Sequence, residues 1–213
     1  MTSLGAKERL ALSFRHMNDD PQNHIRVIPP LLRREVTLHE PYSGDYIHGY
    51  MVNAGFSENV MKWHRQHPGI PLRFFWDKWE EEPVKRVDNT LSFYQLDDVE
   101  FLRQMAGCKA YASTAGFESV CEAMYLGKPI LMVPAHIEQD CNAYDAEKSG
   151  AGIISSDFNL QQLLEFAKDY HPNRDFVYWV RGAEYTLLNL LESDSSNYQQ
   201  VLFNEMYLVE EFI

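Results

Sequence analysis

From residue 45 to residue 170 short apolar runs alternate with amphipathic stretches, and that rhythm leaves few architectures open. "YIHGYMV" (46–52), "PLRFFWD" (71–77), "TLSFYQL" (90–96), "KAYAST" (109–114), "PILMVPA" (129–135) and "AGIIS" (151–155) have strand character. Between and after them, 57–67, 99–107, 117–127, 138–150 and 159–170 have helical spacing. Ser57, Asp97 or Asp98, and Asn159 stand where N-caps belong, and Gly127 and Gly150 where helices stop. Strands spaced by single helices predict an α/β fold, a Rossmann-like parallel sheet with helices on both faces. Ligands of such sheets sit at the carboxyl ends of the strands, near the point where the strand order reverses.

The chain has 213 residues, 45% of them hydrophobic, ample for one sizeable core. Its formal net charge of −12 repels phosphate backbones and anionic headgroups, so neither nucleic acid nor a membrane surface is an expected partner. Cys108, Cys121 and Cys141 lack metal-ligand spacing and predict reduced thiols in the cytoplasm. No stretch is apolar for long enough to span a bilayer. The eight histidines are scattered, with His64 and His67 the one close pair, so no metal site is expected.

The polar residues that bear on chemistry gather in 113–143. Ser113-Thr114-Ala115-Gly116 carries a strand into a helix across a glycine. Free amides and the helix dipole at such a turn suit a diphosphate, and Ser119 adds a hydroxyl one turn in. A glycine that merely permits a tight turn explains Gly116 equally well. Glu118 and Glu122 stand four apart on one helical face, a spacing that costs about 0.2–0.5 kcal/mol when both are charged. Neither has a basic residue four positions later. The pair reads either as a solvated face or as a carboxylate for the vicinal hydroxyls of a ribose. Glu138 and Gln139 follow a strand and a short turn. An acid beside an amide can accept from and donate to neighbouring sugar hydroxyls, while an exposed helix start accounts for Glu138 as well. His136 shares that turn.

Taken together these residues resemble the donor-binding domain of GT-B glycosyltransferases, enzymes with two Rossmann-like halves. The pattern is Gly116, Glu122 six residues on, "GKPILMVP", Gln139, "NA" at 142–143 and "SGAG" at 149–152. It is most similar to the family-28 C-terminal domain, the type of the bacterial lipid II-forming GlcNAc transferase, and more distantly to UDP-glucuronosyl- and glucosyltransferases. The resemblance implies a nucleoside-diphosphate sugar as donor, UDP-linked, and no metal or other cofactor. It places Thr114, Ala115, Gly116 and Ser119 at the diphosphate, Glu122 at the ribose, and Glu138 and Gln139 at the transferred sugar. Phe93, Tyr94, Gln95 and Leu96 would frame the base, and Asn53 and Gly55 would form a second phosphate loop. Two positions depart from the pattern. Many relatives carry His where Thr114 stands, and "NAGFS" at 53–57 has one glycine where lipid II-type enzymes have several.

In such enzymes a second half binds the acceptor and supplies the catalytic base, so no catalytic residue is assigned here. Residues 1–44 then correspond to the last strands of that half and a linker, 45–192 to the donor domain, and 193–213 to a helical tail. Within the donor domain a long amphipathic helix is expected at 175–191. The chain is thus expected to be a piece of a longer protein, or a stand-alone donor subunit that pairs with an acceptor subunit. A UDP-GlcNAc 2-epimerase-like enzyme and a non-catalytic interaction module remain alternatives on the same fold.

Overall fold

The computed structural model describes residues 5–78 and 82–192, so the tail expected at 193–213 lies outside the described residues. The described residues divide into two compact units, one within 32–177 and the other formed by the segments 5–31 and 178–192.

The larger unit is a seven-stranded sheet. After β1 (Arg9–Leu12) and β2 (Ile25–Ile28) of the smaller unit, its strands in chain order are β3 (Ile47–Met51), β4 (Leu72–Trp76), β5 (Val84–Arg86), β6 (Leu91–Gln95), β7 (Ala110–Ser113), β8 (Ile130–Met132) and β9 (Gly152–Ile154). Their spatial order is β5-β6-β4-β3-β7-β8-β9. Every pair is parallel except β5 with β6, which is antiparallel. The sequence gives no sign of β5, because "VKR" is exposed at each position and carries no apolar face. It pairs only at the sheet edge, where one free side tolerates charge.

Five helices cover the sheet: α1 (Ser57–Gln66), α2 (Asp98–Gly107), α3 (Phe117–Tyr125), α4 (Ile137–Lys148) and α5 (Leu160–Phe166). Val60 and Trp63 of α1 and Leu160 and Leu163 of α5 share one buried cluster with Ile47, Phe74, Ala112 and Leu131. On the other face Phe101 of α2 meets the rings of His48 and Tyr111 edge-on, at 4.8 and 6.3 Å. Side chains of successive strand residues point to opposite faces, so both faces must be apolar, and the strands read as nearly continuous hydrophobic runs. Gly49 in the central strand is required by packing. A Cβ there would lie 2.2 Å from the ring of Phe74 on the neighbouring strand.

The expected caps form at Asp97, which accepts from the Glu100 amide, and at Asn159, which accepts from the Gln162 amide. Gly127 and Gly150 adopt φ +66° and +73°, the left-handed stop that favours glycine. Ser57 opens α1 as a helical residue rather than as its cap; Asn53 caps the short turn before it.

The larger unit begins at Leu32, ahead of the expected start at 45. The linker earns this place by its packing. Val36 is fully buried, and the Tyr42 and Gly44 amides donate to the carbonyls of Ala106 and Gly107 at 3.0 Å.

In the smaller unit β1 (Arg9–Leu12) and β2 (Ile25–Ile28) pair in parallel. The Trp179 indole N–H donates to the Ser13 carbonyl at 3.1 Å, and Phe14 is buried. The helix expected across 175–191 appears as α6 (Arg174–Arg181) and a second helical run at 183–192, interrupted at Gly182.

His48 is fully buried among aromatic rings, and burial, with the charge of Arg73 second, pushes its imidazole down to about 3. The unfolded chain therefore binds a proton between about pH 6.5 and 3 that the folded chain does not. Stability from this residue is complete above about pH 6.5 and falls with acid, by about 2 kcal/mol at pH 5. Urea unfolding at pH 7.5 and pH 5 should show His48→Leu losing less stability on acidification than the parent, by about that amount.

Candidate functional site

From β3 the chain works outward through β4 to β6, then crosses to place β7 on β3's other side. The carboxyl ends of β3 and β7 lie side by side, with Tyr50 paired to Ser113. A crevice opens where the winding reverses. The cavity there has a volume of about 240 Å³. Tyr50, Leu96 and Phe101 form its apolar side, Arg33, Asp98, Glu118 and Glu122 its charged side, and Gly116 and Ser119 the helix end. A larger hollow of about 490 Å³ lies at the opposite, amino ends of the strands. Its buried cation, Lys128, is committed to the carbonyls of Tyr42 and Cys108 at 2.7 and 3.0 Å.

The turn into α3 is built differently from expectation. The left-handed residue is Ala115, at φ +62°, while Gly116 has an ordinary φ of −63°. A non-glycine residue in that region costs about 1–2 kcal/mol, so its neighbours must hold it there. Ser113 Oγ accepts the Ala115 amide at 3.0 Å, and Asn142 Nδ2 of α4 donates to the Ala115 carbonyl at 3.3 Å. The strained turn aims the start of α3 at the cavity. Gly116, the N-cap residue, provides no side-chain cap, and a Cβ there would meet nothing nearer than Ser119 Oγ at 3.7 Å. The glycine leaves space above the helix end rather than enabling a strained φ.

Thr114 is 1% exposed, and among the described residues its Oγ1 has no hydrogen-bond partner. Neither Thr114 nor Ala115 lines the cavity: both are buried, and their amides donate to the Tyr50 carbonyl at 3.3 Å and to Ser113 Oγ. Ser119 lines the cavity, with its hydroxyl donating to the Gly116 carbonyl at 3.2 Å.

Glu122 reaches the cavity from α3 but is not free. Arg33 grips it with both arms of its guanidinium, Nε to Oε1 at 2.6 Å and a terminal nitrogen to Oε2 at 2.8 Å. Burial raises the Glu122 carboxyl above the ordinary carboxylate value, and the Arg33 bonds oppose that rise. Arg33 also meets Asp98 at 3.0 Å, and its own pKa is raised, first by the bonds to Glu122. Local pattern did not find Arg33, since it lies 89 residues from Glu122 along the chain. The one hint was that Glu122 has no basic partner within its own helix, and a buried carboxylate needs one from elsewhere.

The remaining expected residues separate. Gln139 is buried, and its carbonyl oxygen accepts the Ala135 amide at 2.8 Å; Glu138 and His136 are exposed at the start of α4. None of the three lines the cavity. Of the four base-framing residues only Leu96 does. Phe93 is a core residue stacked on Trp76 at 4.4 Å, Tyr94 stacks on Phe75 at 5.1 Å, and Gln95 Nε2 donates to the Lys78 carbonyl at 3.4 Å. The period-2 alternation of β6 sends Phe93 to the α1 face, away from the crevice. In the loop after β3, Asn53 Oδ1 accepts the Gly55 amide at 2.8 Å, so that amide is already satisfied within the loop.

A family model described as Glycosyl transferase family 1 matches residues 5–170. The chain belongs to glycosyl transferase family 1. A Caenorhabditis elegans protein named as a UDP-glucuronosyltransferase, ugt-48, is 26% identical over 105 residues, covering 48% of this chain and 20% of the relative. Among solved structures, the glycotransferase of kitacinnamycin superposes with a TM-score of 0.64 at 16% identity, over 87% of this chain and 54% of that one. Arabidopsis thaliana UGT89C1, solved with UDP, gives 0.51 at 13% identity, over 76% and 47%. This family 1 chain therefore spans a fifth of the curated relative and about half of the solved ones. Its sheet is one Rossmann-like half of the GT-B architecture. The comparisons do not confirm the family-28 likeness. No helix among the described residues is long and apolar enough to cross a membrane.

Asn142→Ala removes the donor that holds the Ala115 carbonyl. It should lower the urea midpoint by an amount equivalent to about 1 kcal/mol, with the fold otherwise retained by circular dichroism.

Proposed function

We propose that this family 1 chain is the donor-binding half of a glycosyltransferase that takes a nucleoside-diphosphate sugar, UDP-linked, and transfers a hexose or N-acetylhexosamine. The observation that carries the reading is the start of α3. It opens without a side-chain cap into a cavity at the switch point, with the carboxylate of Glu122 further along the same helix wall. A helix start of this kind favours an anion by its dipole and unpaired amides, and a diphosphate leaving group gains charge as the glycosidic bond breaks. That two relatives of this fold were solved with UDP supports the nucleotide.

In this reading the chain positions the donor and steadies the departing diphosphate. The open start of α3 at Gly116, with Ser119, faces the phosphates, Glu122 the ribose and Leu96 the base. An acceptor-binding half or subunit supplies the base that activates the acceptor. The mechanism is metal-independent, with helix amides in place of a cation. The three free cysteines support a cytoplasmic setting.

One observation favours a second reading, a module that has lost its ligand: Arg33 covers the carboxylate that ribose would need. Calorimetry separates the two. UDP should bind the chain at millimolar or lower concentration, and EDTA should leave the affinity unchanged. Glu122→Ala should weaken binding by less than about tenfold, because what ribose hydroxyls gain from the carboxylate is offset by the Arg33 bonds they displace. A chain that binds neither UDP nor GDP at millimolar ligand is a ligand-free module, and the donor reading fails.

A further inference from the structure

Glu122 has no exposed surface on its side chain, although it stands on a cavity wall. What covers it is Arg33, whose planar fork takes one bond to each carboxylate oxygen, at 2.6 and 2.8 Å. With both oxygens engaged and no side-chain surface exposed, the carboxylate is closed to the cavity. A pentose hydroxyl cannot reach Glu122 while the guanidinium stays in place.

Arg33 has an alternative position built around it. Its NH1 already lies 3.0 Å from Asp98 Oδ1, and Glu118 Oε1 lies 3.8 Å from its Nε. Both acids are largely exposed, at 78% and 66%, so each can follow a moving partner. Arg33 can release Glu122 and keep two counter-charges at the cavity mouth. Glu122, in turn, exchanges a charged fork for hydroxyl donors and remains hydrogen-bonded. Neither group is left buried and unpaired, which is the outcome that would make such an exchange prohibitive.

We propose that Arg33 is a specificity-determining residue of the donor site, holding Glu122 closed in the free chain and giving way to the 2′- and 3′-hydroxyls of ribose by moving onto Asp98 and Glu118. This rests on reading the cavity as the nucleotide pocket. It adds that the preference for ribose is a difference between two sets of bonds to one carboxylate. In the parent chain the ribose contact is offset by the Arg33 bonds that it displaces. A nucleotide lacking the 2′-hydroxyl gains less from Glu122 but also need not open the pair fully. Discrimination between the two sugars is therefore muted by Arg33.

The test compares UDP with 2′-deoxy-UDP by calorimetry on the full chain, with thermal melts to verify folding. Removing Arg33 by Arg33→Ala should enlarge the ratio of their dissociation constants by about tenfold or more, the worth of a hydrogen bond to a charged group. Arg33→Gln, which keeps polar volume over Glu122 without the charge, should shift the ratio in the same direction and serves if Arg33→Ala does not fold. In a Glu122→Gln background, Arg33→Ala should leave the ratio unchanged. A ratio that is unchanged or smaller in a folded Arg33 variant overturns the proposal while the donor reading stands. If neither the parent nor any variant binds UDP, both fall together. Binding that appears only after Arg33 is replaced overturns the proposal as well, since Arg33 then does not give way to ribose.

Discussion

The pairing of β3 with β7 is the constraint on which the rest of the molecule depends. Tyr50 and Ser113 face each other there, and the crossover that joins the two halves of the sheet leaves their ends uncovered. The polar residues that line the cavity are placed by that gap. The linker reaches it from one side with Arg33, α2 frames it with Asp98 and Phe101, and α3 rises from its floor. A parallel sheet needs helices on both faces, so side chains at its carboxyl edge meet a cavity rather than a covering layer where the winding reverses.

Much of this was legible in the sequence, for identifiable reasons. Strands buried on both faces show as apolar runs, so β3, β4, β6, β7 and β8 were evident from composition alone. Caps and stops at Asp97, Asn159, Gly127 and Gly150 follow local chemistry and formed where predicted. Glu122, Ser119 and Gly116 do meet at one cavity.

What was hidden depends on long-range partners or on strand phase. β5 has no apolar face to announce it. Phe93 looked like part of a binding loop, yet one step of strand alternation turns it into the core beside Trp76. The strained residue of the α3 turn is Ala115, not the glycine beside it, because Ser113 and Asn142 hold an alanine where glycine would be the default. Arg33 is the clearest case. Nothing in "LLRREV" marks one arginine as the partner of a carboxylate on a distant helix, and only the folded linker brings them together.

Gln139 carries a consequence of its own. With its carbonyl pinned to the Ala135 amide, this buried side chain ties the start of α4 back to the turn that follows β8, while Glu138 beside it faces solvent. The amide acts as a brace: without it a backbone N–H at that turn would lose its acceptor, and the entry into α4 its fixed angle.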